Sequence, residues 1–204
     1  MDALKTATGA SLGVISAAMA VLPLSFSYPP IPYLRFDLAE VPAFVAALGF
    51  GPSAGLLAST IYFFGLLVIG QFSPLGPLMK FLAVISTMGG IWAVFHFTRR
   101  NPPLAMKLTG WTAGCLARVA VMSATNYLVL VVFFPDFLRF SVSTLSAFTG
   151  TPLNPDDHGI ALVLLYTAVF NALHTALSIG ASLAVIDAIR RSGALGARWR
   201  PWYG

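Results

Sequence analysis

The fold of this chain is decided by residues 33–52, which read YLRFDLAEVPAFVAALGFGP. The stretch begins as a short charged loop, Arg35 to Glu40, and continues without a break into an apolar helix that ends at Gly51-Pro52. Charged side chains so close to an apolar segment need partners or water. We therefore expect the loop to fold over another part of the molecule.

The composition places the chain in a membrane. Of its 204 residues, 57% are hydrophobic and 9% are charged, and the mean hydropathy is +0.82. Soluble domains carry about 25% charged residues, so these few charges cannot cover a water-facing surface. The net charge of +5 is then a matter of membrane topology, and we expect no nucleic-acid partner. The sequence predicts an integral protein of the cell membrane.

Six apolar segments predict an all-α protein with six transmembrane helices in a single domain, residues 1–204. We place the spans at about 4–24, 41–50, 53–71, 77–98, 108–134 and 160–189. A straight span needs about 20 residues, so the second segment is short, and residues 49–52 separate it from the third. It either crosses as a short helix or forms a re-entrant hairpin with the third segment. We prefer six spans because both termini then lie on one side.

The basic residues set the orientation. One side of a six-span chain carries Lys5, Arg99, Arg100, Lys107, Arg190, Arg191, Arg198 and Arg200. Arg35, Lys80 and Arg139 lie on or near the other side. The positive-inside rule then places the N- and C-termini in the cytoplasm.

Two long outer loops follow from that orientation. Loop 1 runs from Ser25 to Glu40, and its prolines favour an extended, stiff path. Loop 5 runs from Pro135 to His158. Long loops in a compact domain tend to be functional, so we expect both to cover an outward-facing ligand pocket.

Polar residues inside apolar segments mark candidate sites, because ionisable groups are costly in a membrane. Arg118, Met122 and Asn126 share one face of the fifth segment, and Tyr127 adjoins that face. Arg118 would either pair with a buried carboxylate such as Asp187 or extend its side chain to the cytoplasmic interface. The other interpretation is that Arg118 belongs to a functional site. Asn126 lies toward the outer leaflet, where a ligand would enter.

The sixth segment carries Asn171, His174 and Ser178 on one helical stripe. An amide and an imidazole that face a cavity would bind the carbonyl groups and ring nitrogens of a heterocycle. The same side chains would equally well form hydrogen bonds between helices. Both interpretations stay open at this point.

The first segment carries a stripe of small residues, Gly9, Gly13 and Ala17, which recur every four positions. Small residues at this spacing let two helices approach closely. The stripe would serve either packing within the chain or docking to a partner protein.

Signatures of catalysis and of metal binding are missing from the sequence. It has no P-loop, no His-Glu-x-x-His motif and no G-x-S-x-G motif. Its one cysteine and three histidines form no ligand cluster. The alternative class is a membrane-embedded lipid enzyme, with Asp156, Asp157 and His158 as adjacent candidates. Beside Pro155 they are more typical of a turn or helix cap, so we predict a binding protein without catalytic residues, metal or cofactor.

Several motifs together resemble the substrate-binding (S) subunits of energy-coupling factor (ECF) vitamin transporters of the riboflavin type. They are the loop PYLRFDLAEVPA, the break at residues 49–52, the pattern Arg118-x-x-x-Met122-x-x-x-Asn126-Tyr127 and the run Phe170-Asn171-x-x-His174. Such subunits have six helices, bind a vitamin from outside, and associate with a transmembrane coupling protein and two cytoplasmic ATPases. The resemblance implies an uptake subunit that carries riboflavin while its partners hydrolyse ATP.

The resemblance also assigns roles to residues. It makes ligand contacts of Asn126, Tyr127, Asn171 and His174, with Leu34 covering the bound ring from loop 1. It assigns Gly9, Gly13 and Ala17 to docking on the coupling protein.

Two positions depart from the pattern of this family. Relatives often carry a lysine where this chain has His174, and a serine-aspartate pair where it has Ala39-Glu40. A neutral imidazole donates one hydrogen bond, whereas an ammonium group donates three. The alternative ligands are therefore another vitamin or precursor, such as thiamin, a pyrimidine or pantothenate.

Overall fold

The computed structural model describes residues 2–70, 74–97, 102–196 and 199–203. Some of the residues on which predictions rest lie outside this part of the chain: they are Arg99, Arg100 and Arg198, together with the side chains of Asp156 and Asp157.

Seven α-helices and two strands are formed by the described residues. The helices are α1 (Ala3–Val21), α2 (Val41–Phe50), α3 (Pro52–Ile69), α4 (Leu75–His96), α5 (Leu104–Tyr127), α6 (Pro135–Thr149) and α7 (Ile160–Ser192). A π-helix over Leu128–Phe133 extends α5, and a π-helical turn over Pro155–Gly159 precedes α7. Five of the helices, α1, α3, α4, α5 with its extension, and α7, are long and apolar enough to cross a membrane. The prediction of a mostly helical membrane protein is confirmed.

The central helix, α2, lies in the predicted second segment and is shorter than a membrane span. With about 1.5 Å per residue, its ten residues are about 15 Å long, half of a hydrocarbon core of about 30 Å. All ten are buried, against α1, α3 and α7 above all. Pro42 stands in the first turn, and Gly51 ends the helix with φ +108°, which favours glycine. The longer helices therefore enclose α2.

Loop 1 forms a β-hairpin: its backbone is extended in two strands, but the turn and the strand pairing were not predicted. β1 (Ser25–Tyr28) pairs antiparallel with β2 (Ile31–Asp37) across a two-residue turn. The ring of Phe36 lies 5.8 Å from that of Tyr28 and 4.7 Å from that of Phe170 on α7. A lone two-stranded hairpin is only marginally stable, and these aromatic contacts hold it on the helices. The prediction of an all-α chain is wrong in this segment.

Loop 5 is not a plain loop, because its first 15 residues form α6. One face of α6 is buried, at positions spaced as on an amphipathic helix: Leu138, Ser141, Val142 and Leu145. The Ser141 hydroxyl donates to a carbonyl of its own helix and accepts from the Tyr33 hydroxyl of β2 at 2.8 Å. Burial raises the pKa of Tyr33, so the hydroxyl keeps the proton that it donates. α6 therefore supports the hairpin from one side.

The small-residue stripe of α1 packs against α3 within the chain. A Cβ added to Gly9 would lie 2.8 Å from the carbonyl oxygen of Ala54, and one added to Gly13 would lie 2.8 Å from that of Ala58. Ala17 continues the contact, because a Cβ on Gly65 would lie 2.5 Å from its methyl group. Of the two interpretations of the stripe, the contacts observed are those of internal packing.

The C-terminal residues fold back onto the end of α2 that is remote from the hairpin. The backbone N–H of Trp202 donates to the carbonyls of Leu48 (2.9 Å) and Gly49 (3.2 Å). The Trp199 ring lies 5.7 Å from that of Phe50. Carbonyls in the last turn of a helix have no partner within the helix, so the tail satisfies two of them. The short central helix is thus closed by the hairpin at one end and by the tail at the other.

Candidate ligand-binding site

A buried ion pair marks the point where β2 leads into α2. The Arg118 guanidinium of α5 donates through Nη1 to Glu40 Oε2 (2.7 Å) and through Nη2 to Glu40 Oε1 (3.1 Å). Arg118 is 2% exposed and Glu40 is fully buried. A two-point contact of this kind has the geometry that a planar guanidinium and a carboxylate favour.

Two residues of α7 complete this cluster. Arg118 Nε donates to Asn171 Oδ1 (3.1 Å), and its Nη2 lies 3.3 Å from His174 Nδ1. His174 Nε2 lies 3.0 Å from the carbonyl oxygen of Asp37 at the end of β2. The Ser178 hydroxyl donates to Glu40 Oε2 (3.3 Å). The polar stripe of α7 therefore meets the end of the hairpin.

Arg118 has a buried carboxylate partner, as one of the interpretations expected, but that partner is not Asp187. Asp187 instead pairs with Arg191 one turn along α7, with 2.7 Å between Oδ2 and Nη2. The actual partner, Glu40, is 78 positions from Arg118 in sequence. Residues so far apart in sequence cannot be paired from their spacing. The sequence did predict that the charged residues of loop 1 need partners.

A second acid–base pair lies beside the first and was missed. Lys80 of α4, which the sequence placed near the outer side, forms a salt bridge with Asp37. Its ammonium also donates to the hydroxyl of Tyr62 (3.2 Å), which is 1% exposed. Each acid at the base of the hairpin thus has a basic partner from a different helix. The site as a whole carries compensated charges, which suits an uncharged ligand group.

The predicted ligand contacts differ in their surroundings. Asn126 is 6% exposed, lies two turns beyond Arg118 on the same face of α5, and forms no side-chain hydrogen bond with any other residue that the structure describes. Leu34 is half-buried and packs with the aromatic cluster of the hairpin. Tyr127 is 47% exposed and turns away from the buried face. Asn171 and His174 lie in the Arg118 network described above.

Aromatic rings line the same region. Phe36 of β2 and Phe170 of α7 lie 5.7 Å and 5.4 Å from the His174 imidazole, measured between ring centroids. Aromatic faces with a few fixed polar groups are typical of sites for small heterocyclic ligands. Within the described ranges, no cluster of three or more His, Cys, Asp or Glu residues is placed to hold a metal ion.

Five helices of membrane length around a buried polar cluster define a multi-pass membrane protein. A model of the family "ECF transporter, substrate-specific component" matches residues 10–186. The chain belongs to this family, whose members are transport components rather than enzymes. The family predicted from the loop 1, α5 and α7 motifs is therefore confirmed.

Individual relatives agree with this assignment. The chain is 29% identical to the riboflavin transporter RibU of Staphylococcus aureus (strain TCH60) over 123 residues, 59% of this chain and 64% of that protein. The match thus spans less than two thirds of that relative. It is 26% identical to the riboflavin transporter FmnP of Bacillus subtilis (strain 168) over 164 residues, 76% of this chain and 85% of that protein.

A solved structure shares the fold. It is described as "Structure and mechanism of the S component of a bacterial ECF transporter" and superposes with a TM-score of 0.66. The two chains are 22% identical, and the superposition covers 94% of this chain and 96% of the other. At 22% identity, this similarity is evidence for a shared fold only.

Proposed function

We propose that this chain captures riboflavin from outside the cell and passes it inward with the help of ATP-hydrolysing partners. The observation that carries the proposal is the buried polar and aromatic cluster beneath the hairpin, in a chain similar to two riboflavin transporters. The cluster contains hydrogen-bond donors and acceptors, and aromatic rings lie next to it. A flat heterocycle with carbonyl groups and ring nitrogens matches that chemistry.

The proposed ligand contacts are Leu34, Asn126, Tyr127, Asn171 and His174. Asn126 has the best support, because it is only 6% exposed and its amide forms no hydrogen bond with another described residue. The amide can therefore donate to and accept from a ligand without breaking a hydrogen bond within the protein. Leu34 lies in the hairpin, from which it would cover the ring of the ligand.

The proposed topology has six crossings with both termini in the cytoplasm. α2 counts as the second crossing, although its length alone is insufficient. The hairpin and the C-terminal tail fill the remaining depth at its two ends. In this arrangement Lys107, Arg190 and Arg191 lie at the inner side, as the positive-inside rule requires.

The proposed partners are a transmembrane coupling protein and two cytoplasmic ATPases, as in other members of the family. The stripe of Gly9, Gly13 and Ala17 was assigned to docking on the coupling protein. Because α3 covers both glycines, docking through this stripe would use the joint surface of α1 and α3.

The second candidate function is the uptake of a different vitamin. The hydrogen bonds of His174 support this alternative. Both ring nitrogens of His174 have partners within the protein, so the ring offers a ligand less than the lysine of relatives would. Thiamin, a pyrimidine precursor and pantothenate are the alternatives within the same architecture.

The first test is the absorption spectrum of the protein purified in detergent from cells grown with riboflavin. Co-purified flavin would make the preparation yellow, and addition of excess riboflavin should exchange it. A colourless preparation that binds thiamin or pantothenate but not riboflavin would move the proposal to that vitamin. A variant that lacks the hairpin contact of Lys80 (Lys80→Met) is a useful comparison, because it should retain less flavin.

A further inference from the structure

The Arg118 guanidinium of α5 connects the start of α2, the middle of α7 and, through His174, the end of the hairpin. It binds Glu40 at the start of α2, and Asn171 and His174 on α7. His174 in turn contacts the last residue of β2, Asp37. His174 is 2% exposed and Asn171 is 4% exposed, so water does not compete for these hydrogen bonds.

The protonation of His174 follows from this geometry. A guanidinium only donates hydrogen bonds, so the Nδ1 atom at 3.3 Å from Arg118 Nη2 must accept and carries no hydrogen. Nε2 then carries the hydrogen of the neutral ring and donates it to the Asp37 carbonyl at 3.0 Å. Arg118 thereby selects the tautomer that ties α7 to the hairpin.

The orientation of the Asn171 amide is fixed in the same way. Its oxygen accepts from Arg118 Nε at 3.1 Å, and its nitrogen donates to the Thr167 carbonyl at 2.8 Å. One N–H of the amide nitrogen is then left to donate. Asn171 is thus held ready for an acceptor, such as a carbonyl oxygen or an unprotonated ring nitrogen of a ligand.

We propose that Glu40 and Arg118 are positioning residues for ligand capture: the pair presents Asn171 as a hydrogen-bond donor, and fixes His174 as a clasp on the hairpin. This inference rests on the proposed function and extends it to residues that would not themselves contact the ligand. The ligand group that it predicts opposite Asn171 is an acceptor.

Stability alone does not account for the pair. Buried ion pairs are often no more stabilising than well-packed apolar side chains of similar volume, so charge pairing by itself is weak grounds for keeping them. Arginine is required here for its fork, because one planar group binds Asn171 through Nε, Glu40 through Nη1 and Nη2, and His174 through Nη2. A lysine would balance the charge of Glu40, but its donors all lie on a single nitrogen, which cannot take the separate positions of Nε, Nη1 and Nη2.

Arg118→Lys is therefore the discriminating variant. It keeps a buried cation beside Glu40 and loses the contacts that orient Asn171 and His174. We expect the purified variant to fold, to bind riboflavin about tenfold more weakly, and to exchange the backbone hydrogens of residues 25–37 faster. Wild-type affinity together with wild-type exchange in the folded variant would overturn the proposal.

A pair of His174 variants keeps the test decisive if Arg118→Lys does not fold. Glutamine has an acceptor and a donor about as far apart as the two ring nitrogens, whereas leucine has neither. We expect His174→Gln to bind riboflavin about tenfold more tightly than His174→Leu, and to protect the hairpin hydrogens better. Equal weakness of both variants would mean that the hydrogen bonds of the ring nitrogens do not hold the hairpin, which would overturn the clasp.

Hydrogen exchange separates this inference from the proposed function. It is measured on ligand-free protein and needs no flavin. If the wild type ignores riboflavin while His174→Leu exchanges its hairpin faster than His174→Gln, the ligand is wrong and the clasp stands. If exchange is equal in the two variants, the clasp is overturned whatever the ligand.

Discussion

Gly13 of α1 and Ala58 of α3 lie so close that a Cβ on the glycine would be 2.8 Å from the alanine carbonyl oxygen. We therefore predict that Gly13→Ala lowers the free energy of unfolding by about 1–3 kcal/mol, because backbone must move to admit the methyl group. Thermal unfolding in detergent measures this loss. Gly89→Ala is the matched control, since a Cβ there meets nothing within 4 Å.

The same variant tests the docking role of the stripe. If Gly13→Ala has wild-type stability and binds ligand, yet no longer supports uptake with the coupling partners, the stripe serves docking rather than packing. Loss of stability in proportion to loss of uptake is the result that internal packing predicts.

The two site asparagines should respond differently to truncation. Asn126→Ala should weaken riboflavin binding by about 1–3 kcal/mol and leave the ligand-free protein as stable as before, because no described residue bonds to that amide. Asn171→Ala should weaken binding by a similar amount and also destabilise the ligand-free protein, since it leaves Arg118 Nε without its acceptor. Calorimetric titration and thermal unfolding measure the two effects.

Thr125→Ala is the control for the asparagines, because the Thr125 hydroxyl donates only to its own helix, at Val121 O (2.8 Å). Wild-type affinity in a folded Asn126→Ala protein would remove Asn126 from the site.

Lys80 should control how long a ligand stays bound. Lys80→Met removes the partner of Asp37 at the base of the hairpin, and a lost hydrogen bond to a charged group costs about 1–3 kcal/mol. We expect faster dissociation of riboflavin, seen in stopped-flow fluorescence, with a smaller change in the association rate. Lys107→Met is the control, because Lys107 instead lies over the Tyr203 ring at 5.2 Å near the C-terminal tail. Equal dissociation from the Lys80 variant and the wild type would contradict the hairpin role.

The C-terminal tail should stabilise α2. Trp202→Ala removes a half-buried ring that packs against Phe95 with 5.9 Å between centroids. Truncation of a fully buried tryptophan to alanine costs about 3–5 kcal/mol. Because Trp202 is only half-buried, we expect the free energy of unfolding to fall by about 2 kcal/mol. An unchanged unfolding temperature would show that the tail lies on α2 without holding it.

Apolar runs and their Gly and Pro boundaries made the helices predictable from sequence. α2 was located at residues 41–50 because the run is apolar throughout and Gly51-Pro52 ends it. The α6 helix was missed although its signal was present, since Leu138, Ser141, Val142 and Leu145 have the spacing of one helical face. The polar residues between these positions led to the prediction of a loop.

The hairpin and the ion pairs were harder to predict for a physical reason. The hairpin owes its stability to contacts of Phe36 with Phe170, residues far apart in sequence, rather than to a local turn signal. Glu40 and Arg118 likewise find each other only after α2, α5 and α7 have packed. The residues of the site were recognised as polar groups in apolar surroundings, but their pairing is a property of the tertiary structure.

The central claim is that the cluster beneath the hairpin binds riboflavin. The most direct measurement is a fluorescence titration of riboflavin with ligand-free protein in detergent, run beside the Asn126→Ala variant. The account predicts saturable quenching at submicromolar concentration in the wild type and a clear loss of affinity in the variant. Riboflavin fluorescence that does not change when folded wild-type protein is added would contradict the central claim.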